Sequence, residues 1–343
     1  MGRAGLNRKT ALATLTLTLA AEAPDLDVLG RFRGAAFGFA HHRGFTHSFA
    51  GIVIMAAATV GAVYLYWRLR GRRTNNPNLP ARWGLLFFYA CLAGLSHILL
   101  DFTNNYGVRP FWPFSEKWYS WDIVFIVEPV MLAFLILGLL APAVFALIDK
   151  EIGARAHGPR GRVAATLALA GVAVMWGVRD YEHRRAVSAL EARTYEGVDP
   201  VRVSAYPTMV DPFHWYGVVE TQAFFALAPV DSLEPEVDPQ GELEIRYKPE
   251  ETPVTLAAKQ SYMGRVYLDW AQYPITETEP LQPPQEGYIV HFVDLRYVRV
   301  PSSLSRGGGR HALSAAVELD KNLHVVGDIF GFGEDQVVVP EPD

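Results

Sequence analysis

Four long apolar segments in the first half of this 343-residue chain most constrain what it can fold into. They cover residues 49–67, 83–100, 123–148 and 163–178. A helix needs about 20 consecutive apolar residues to cross a bilayer, and these segments approach or exceed that length. The first half is therefore predicted to be a helical domain embedded in a membrane.

A shorter apolar run, residues 11–21, comes before these segments and is interrupted by three threonines. Its length suits a short span, a re-entrant helix or the core of a signal peptide. Basic residues before the run, and the small residues Ala21 and Ala23 at cleavage-like positions, support the signal peptide. Cleavage there would leave the acidic PDLD segment at a new N-terminus, which disfavours this alternative.

The placement of arginine and lysine predicts the topology, because short cytoplasmic loops are enriched in both. The N-terminus and residues 68–82 and 150–162 are basic. All three lie on one side only if residues 11–21 also cross the membrane. Residues 22–46, 101–122 and everything after Arg179 then face the opposite, external side. Five basic residues of these external segments depart from the rule: Arg31, Arg33, Arg43, Arg109 and Lys117.

The second half changes to alternating apolar and polar residues, most clearly over residues 288–300, with proline and glycine turns between such runs. This pattern indicates strands. The predicted fold is an α-helical polytopic membrane domain, residues 1–178, followed by an extramembrane β-rich (α+β) domain, residues 179–343. The formal net charge of -5 argues against a nucleic-acid partner. The single cysteine, Cys91, excludes a disulfide within the chain.

Six histidines and aspartates lie in three short segments, each at one edge of an apolar segment. Imidazole and carboxylate groups at this density suit a divalent metal. Ionisable residues are costly near lipid, so those that occur there usually serve a function. The topology above brings all six to one external face. They are Asp25 and Asp27 in APDLDVL, His42 and His47 in HHRGFTHS, and His97 and Asp101 in SHILLD.

Each segment alone also has a simpler interpretation. His97 and Asp101, four residues apart on one helix face, could be a histidine hydrogen-bonded between helices and an aspartate at the water interface. PDLD could cap a helix, and HHRGFTHS could be a histidine cluster beside lipid headgroups. Within it, Arg43 is a candidate for holding an anionic substrate oxygen. Candidates for supporting the ligands from outside are Asn104, Asn105 and Asp122.

Together, APDLDVL, HHRGFTHS, SHILLDFTNNYG and WPFS with its following Trp-Asp resemble the YdjM-type family of bacterial inner-membrane proteins, which are predicted metal-dependent hydrolases. The resemblance covers roughly residues 10–150 and implies a metal site in the inner membrane. Family members commonly have a Thr-His pair before the PDLD segment. This chain departs from that pattern, because it has no histidine before His41.

These observations predict a membrane-bound, metal-dependent hydrolase that acts on a lipid or a lipid-linked phosphoester at the external face. Asp25, Asp27 and Arg43 are the predicted catalytic residues, and the six histidines and aspartates are the predicted ligands of Zn, Mn or Fe. The alternative is a transporter, or a structural or regulatory membrane protein that binds metal without catalysis. A transporter would place ionisable residues near the bilayer midplane in broken helices.

Overall fold

A computed structural model describes residues 1–74, 78–151, 160–282, 285–299 and 312–331. The helices are α1 Ala13–Glu22, α2 Ala35–His41, α3 Phe49–Leu69, α4 Trp83–Thr103, α5 Pro129–Glu151, α6 Arg160–Glu191, α7 Pro253–Gln260 and α8 Tyr262–Trp270. The strands are β1 Arg202–Pro207, β2 His214–Glu220, β3 Phe224–Asp231, β4 Glu236–Val237, β5 Glu244–Tyr247, β6 Pro274–Pro280, β7 Gly287–Asp294, β8 Ser314–Asp320 and β9 Val325–Gly331.

Four helices, α3 to α6, are long and apolar enough to cross a membrane, which confirms the predicted helical domain. The third span was predicted to begin at residue 123, but α5 begins at Pro129. Residues 123 and 124 leave the helix because both backbone amides donate to the carbonyl of Thr103, at 3.1 and 3.0 Å. The fourth span was predicted to end at residue 178, whereas α6 continues unbroken to Glu191.

The short helix α1 is not among these four, but it lies against α4. At one end, the Arg82 amide donates to Thr10 Oγ1 at 2.8 Å. Beyond the other end, Asp25 Oδ1 lies 3.3 Å from His97 Nε2. The separation along the sequence from Thr10 to Asp25 equals that from Arg82 to His97. Residues 10–25 therefore run parallel to α4 over the same length of that helix. Whether residues 11–21 cross the membrane, as the five-crossing topology requires, stays a prediction.

The second half contains two antiparallel sheets, in agreement with the predicted β-rich domain. β1 to β5 form one sheet, with β4 and β5 both paired to β3, and β6 to β9 form the other in sequential order. The end of α6 packs Ala186 and Leu190 against Trp215 and Val219 of the first sheet. Helices α7 and α8 pack against the second sheet, where Tyr267 is fully buried.

The two halves share one hydrophobic core, because Phe39 and Tyr106 of the membrane domain are buried together with Trp270 and Tyr297. Trp270 Nε1 donates to the Tyr106 carbonyl at 3.0 Å. The Asn105 carbonyl accepts from Tyr297 Oη at 2.9 Å. The β-rich half therefore lies at the end of the membrane domain where α4 ends. The helix α6 runs through the predicted domain boundary at residues 178 and 179, which stays a prediction.

Candidate metal centre

His47 is held by the turn that starts α3. It ends a 3-10 helix, Phe45–His47, and Ser48 then caps α3 by accepting from the Gly51 amide at 2.9 Å. A Cβ atom at Gly51 would lie 1.8 Å from the Phe45 carbonyl oxygen, so only glycine lets the turn pack this closely on the helix. The His47 side chain is fully buried as a result.

His97 and Asp101 lie one turn apart near the end of α4, and both face His47. His97 Nε2 is 3.2 Å from His47 Nε2. Asp101 Oδ2 is 3.2 Å from His47 Nε2 and 3.4 Å from His97 Nε2. The spacing of four residues on one helix face therefore brings both side chains to one point, as the sequence predicted.

Asp25 completes the cluster from the 3-10 helix Pro24–Arg33, which begins directly after α1. Its Oδ1 lies 3.5 Å from His47 Nε2 and 3.3 Å from His97 Nε2. One ligand atom from each of Asp25, His47 and His97 lies within 4.8 Å of the other two. Asp25, His47, His97 and Asp101 are called the central cluster below.

The central cluster fits a divalent ion in both spacing and chemistry. Ligand atoms at about 2.1 Å from a tetrahedral ion lie about 3.4 Å from one another, which is close to the distances above. Two imidazole nitrogens face each other, and one carboxylate oxygen each from Asp25 and Asp101 lies within 3.5 Å of both. Asp101 Oδ2 is buried and accepts no hydrogen bond within the described part of the chain. A buried carboxylate oxygen that forms no well-aligned hydrogen bond is costly, and a cation between it and the two imidazoles would satisfy it.

Asp27 supports the central cluster from behind His47. Its Oδ2 is 3.3 Å from His47 Nδ1 and accepts from the Arg43 amide at 2.7 Å. Its Oδ1 is 3.2 Å from His42 Nδ1. A carboxylate on the far nitrogen of a histidine is the usual outer partner of a metal ligand, because it sets the ring orientation and the tautomer. Thr46 Oγ1 also contacts His47 Nδ1, at 3.0 Å.

Arg43 joins the outer support to the central cluster. Its backbone is left-handed, with φ of 50°, so its amide points to Asp27 while its side chain points the other way. The guanidinium donates to Asp101 Oδ1 at 2.8 Å and to Asn104 Oδ1 and the Gly107 carbonyl at 3.2 Å each. The sequence predicted that Arg43 would hold the substrate. That role stays a prediction, and in the structure both terminal nitrogens of Arg43 donate within the protein.

The structure thus separates the six predicted ligands into two layers. Asp25, His47, His97 and Asp101 converge, whereas Asp27 and His42 face each other outside the central cluster. Their assignment as ligands stays a prediction. Of the residues predicted to give outer support, Asn104 contacts Arg43. Asp122 lies elsewhere, near Arg296 and Asp294. Sequence reasoning missed the role of Thr46, although it directly precedes a candidate ligand.

The charges within the central cluster favour the ionised forms of Asp25 and His47, which both lie outside the membrane spans. Hydrogen bonds from His47 and His97 lower the pKa of the Asp25 carboxyl well below its usual range. Burial lowers the pKa of His47, but three adjacent carboxylates outweigh that effect and raise it to about 10. Without an ion, the carboxylates therefore keep a proton on His47. A metal that binds Nε2 must displace that proton.

The central cluster is open on one side only. The side chain of Asp25 is 54% exposed, whereas those of His47, His97 and Asp101 are 0%, 16% and 15% exposed. Next to Asp25 in the same 3-10 helix, Leu26, Leu29 and Phe32 are exposed. Exposed apolar side chains beside a transmembrane bundle fit contact with lipid. The open side of the cluster therefore borders an apolar surface.

These features define a polytopic membrane protein with a His/Asp cluster of metal-ligand type at one end of its spans. The family model described as YdjM inner membrane protein matches residues 1–184, more than half of the chain. The chain therefore belongs to the YdjM inner membrane protein family, which confirms the resemblance seen in the motifs. The matched region includes the whole central cluster.

A similar relative extends beyond that region. This relative, "Uncharacterized protein YfhP" from Bacillus subtilis (strain 168), is 24% identical over 322 residues, which is 94% of this chain and 86% of the relative. The similarity thus includes most of the β-rich half as well as the membrane domain. No solved structure is a significant match to the chain.

Proposed function

We propose that the protein is a membrane-bound, metal-dependent hydrolase whose substrate is a lipid or a lipid-linked phosphoester. The observation that carries the proposal is the convergence of one carboxylate or imidazole group from each of Asp25, His47, His97 and Asp101, with ligand atoms 3.2 to 3.5 Å apart. These four residues would hold the ion. Mixed histidine and aspartate ligands suit Zn, Mn or Fe.

A bound divalent ion would supply Lewis acidity, which lowers the pKa of a water molecule and polarises a scissile oxygen. The residues of the chain have separate tasks around it. Asp27 accepts at His47 Nδ1, which leaves Nε2 free to face the central cluster. Arg43 holds Asp101 Oδ1 and thereby aims Oδ2 at the two imidazoles. Both are positioning residues in this proposal.

His42 is the group best placed to move a proton. Asp27 fixes its Nδ1, and its side chain is partly exposed, so Nε2 is the atom available to a substrate. A histidine oriented by a carboxylate is a common general acid or base. We therefore assign His42 to proton transfer rather than to metal ligation.

The lipid substrate is proposed from the position of the open side. Asp25 is the most exposed member of the central cluster, and the exposed apolar side chains of Leu26 and Leu29 border it. A substrate that approaches from the bilayer would keep its acyl or isoprenoid chains in lipid and bring only its polar part to the cluster. A fully soluble substrate would not need this apolar border.

The sequence of the spans argues against the transporter alternative. His97 and Asp101 lie toward the end of α4, and that helix is continuous from Trp83 to Thr103. Between Phe49 and Trp67 in α3, and between Pro129 and Ile148 in α5, no Asp, Glu, Lys, Arg or His occurs. An ion pathway through the midplane would require such groups in interrupted helices. The polar chemistry is confined to one end of the bundle.

Turnover by purified protein would test the hydrolase proposal. Detergent-purified protein should contain a divalent metal by elemental analysis and should release phosphate or headgroup from phospholipids or lipid-linked pyrophosphates in mixed micelles. Chelation should remove both the metal and the turnover, and the same metal added back should restore them. Turnover that survives complete removal of the metal would contradict the proposal, as would a metal-loaded protein that hydrolyses none of these substrates.

Cysteine labelling in spheroplasts would test the proposed external location of the β-rich half. In a chain with Cys91 replaced, Lys321→Cys should react with a membrane-impermeant maleimide from outside. Arg72→Cys, in the predicted cytoplasmic loop, should react only after permeabilisation. Both positions are exposed, so the two variants are matched in accessibility within the fold. The reverse pattern would reject the topology.

A further inference from the structure

A cavity of ≈ 730 Å³ lies between the two halves of the protein, beside the central cluster and separate from it. One wall is formed by the membrane domain, including Thr46 and Arg109, and the other by α8, including Arg265 and Asp269. Its size is in the range of small-molecule sites, and such sites often lie between domains. This cavity is called the interdomain cleft below.

The least satisfied charged group of the interdomain cleft is the guanidinium of Arg109. Its side chain is only 9% exposed. One terminal nitrogen donates to the carbonyls of Ala40 and His42. The other lies 4.0 Å from Asp269 Oδ2, too far for a hydrogen bond. Nε is buried and has no partner within the described residues. Burial accordingly lowers the pKa of Arg109.

A buried guanidinium with unused donors is costly unless an anion pairs with it. Three carboxylates line the cleft, and none forms a hydrogen bond to Arg109 among the described residues. Asp269 is half exposed and already accepts from Trp118 Nε1 at 3.1 Å, Asp27 contacts His42 and the Arg43 amide, and Glu116 is exposed to solvent. Arg265 adds a second guanidinium to the same cavity. It is exposed, and within the described parts of the chain it forms no ion pair with a carboxylate.

We propose that the interdomain cleft binds a phosphate group, with Arg109 and Arg265 as the residues that hold it. The parallel fork of Arg109 is not available, because Nε pairs with the terminal nitrogen that already donates to Ala40 and His42. A phosphate would instead accept charge-assisted hydrogen bonds from the other terminal nitrogen of Arg109 and from Arg265. The indole ring of Trp118, with its ring centre 4.5 Å from the Arg109 guanidinium carbon, keeps the guanidinium plane in place.

The side chain of Asp27 lies between the interdomain cleft and the central cluster. Asp27 and Thr46 line the cleft, and both also contact His47 Nδ1. A phosphate in the cleft would therefore sit behind the residues that orient His47. Its use as a subsite for the polar part of a substrate rests on the proposed hydrolase function. Binding of phosphate itself does not.

Titration of metal-free protein with inorganic pyrophosphate would test this proposal independently of catalysis. Chelator-treated full-length protein in a maltoside detergent should bind pyrophosphate saturably, as measured by calorimetry. Arg109→Gln should weaken binding about 10- to 100-fold, as expected for loss of a charge-assisted pair. Arg265→Gln, at an exposed position that does not endanger folding, should weaken it about 2- to 5-fold. The matched control, Arg184→Gln on α6, should bind like the unaltered protein.

A second arm distinguishes a lipid phosphate from a free phosphate compound. Phosphatidylglycerol retained by the protein in detergent would be counted by native mass spectrometry, for the unaltered chain and for both cleft variants. Retention that falls in both variants would assign the interdomain cleft to a lipid headgroup, and saturable pyrophosphate binding alone would assign it to a free phosphate compound. If neither measurement depends on Arg109 or Arg265, the proposal is wrong. Because no metal is present, that result would leave the hydrolase proposal untouched.

Discussion

Two buried polar regions of this protein differ in how completely their atoms are paired. Arg296 and Asp294 form the first, between the β-rich half and residues 104–107. Arg296 Nε donates to Asp294 Oδ2 at 2.9 Å, and its terminal nitrogens donate to the carbonyls of Asn105 and Trp270, at 2.6 and 3.3 Å. Asp294 also accepts from the Gln272 amide at 2.7 Å. Each of these charged groups has its partners inside the protein.

The central cluster is the opposite case. His47 Nε2 and His97 Nε2 point at each other, and the buried Asp101 Oδ2 forms no well-aligned hydrogen bond among the described residues, although both imidazoles lie within 3.4 Å of it. A network with every partner present stabilises a fold, whereas one with partners missing points to a ligand. Arg296 and Asp294 are therefore a structural ion pair, whereas the central cluster is a candidate metal centre, although both are buried and charged.

The largest expected effect is on metal content. His97→Ala removes one of four converging groups, and the buried His47 cannot shift to replace it, so bound metal should fall by more than the roughly 10- to 100-fold that loss of an outer partner costs. Elemental analysis of the purified variant would measure this. An unchanged metal content would mean that the two histidines are structural, as Arg296 and Asp294 are.

The structural pair should respond in stability instead. Arg296→Ala leaves Asp294 buried without a countercharge, which typically costs about 3–5 kcal/mol of unfolding free energy. Thermal unfolding in detergent would show a lowered transition. Metal content below that transition should be unchanged. Arg296→Met combined with Asp294→Leu should recover much of the loss, because both charges are then removed together. A stable Arg296→Ala protein would refute the structural assignment.

A smaller effect is expected where Asp27 supports His47. Asp27→Asn keeps the shape of the side chain but removes the charge that orients His47 Nδ1, so metal affinity should weaken about 10- to 100-fold. Competition with a metal-binding dye would measure the affinity. Arg43→Lys, which retains a charge near Asp101 but loses the forked contact, is the companion variant and should retain the metal more tightly than Asp27→Asn. If Arg43→Lys binds the metal more weakly than Asp27→Asn does, then Arg43 and not Asp27 is the more important support of the central cluster.

The smallest effect concerns Asp122, which borders the structural pair. Burial raises its pKa from 3.8 to about 6, so the folded protein holds this proton more tightly than the unfolded chain does. Its contribution to stability is complete below about pH 3.8 and is lost as the pH rises through about 6. Asp122→Asn should remove that slope and raise the unfolding free energy at neutral pH by on the order of 1 kcal/mol, because the amide carries no charge to bury. Denaturant unfolding at several pH values would detect it.

The sequence predicted the local features well, because hydropathy and ligand chemistry are properties of short segments. The four spans follow from runs of apolar residues, and His97 with Asp101 follows from helix periodicity. The task of Arg43 depends on a left-handed backbone and on Asn104, which is 61 residues away. No pattern within HHRGFTHS contains that information. The three-dimensional structure was needed to place Asp27 and His42 outside the central cluster.

Long-range packing limited the prediction further. The pairing of Trp270 with Tyr106 joins residues separated by 164 positions, and nothing in either segment announces the other. The interdomain cleft and the unsatisfied state of Arg109 arise only from that packing. The register of α1 along α4 likewise depends on the contact of Thr10 with Arg82, whereas hydropathy alone left residues 11–21 undecided.

Helix α6 is unbroken and is a rigid connection between the membrane domain and the β-rich half. Its 32 residues extend about 48 Å, while the hydrocarbon layer is about 30 Å thick, so several turns project into the aqueous phase. The β-rich half is fastened to this projecting end by Leu190 and again to the loop after α4 by Trp270. These two contacts together fix the orientation of the β-rich half relative to the membrane domain. One residue inserted into the projecting turns would rotate everything beyond it by about 100°, and the second fastening could then no longer be made.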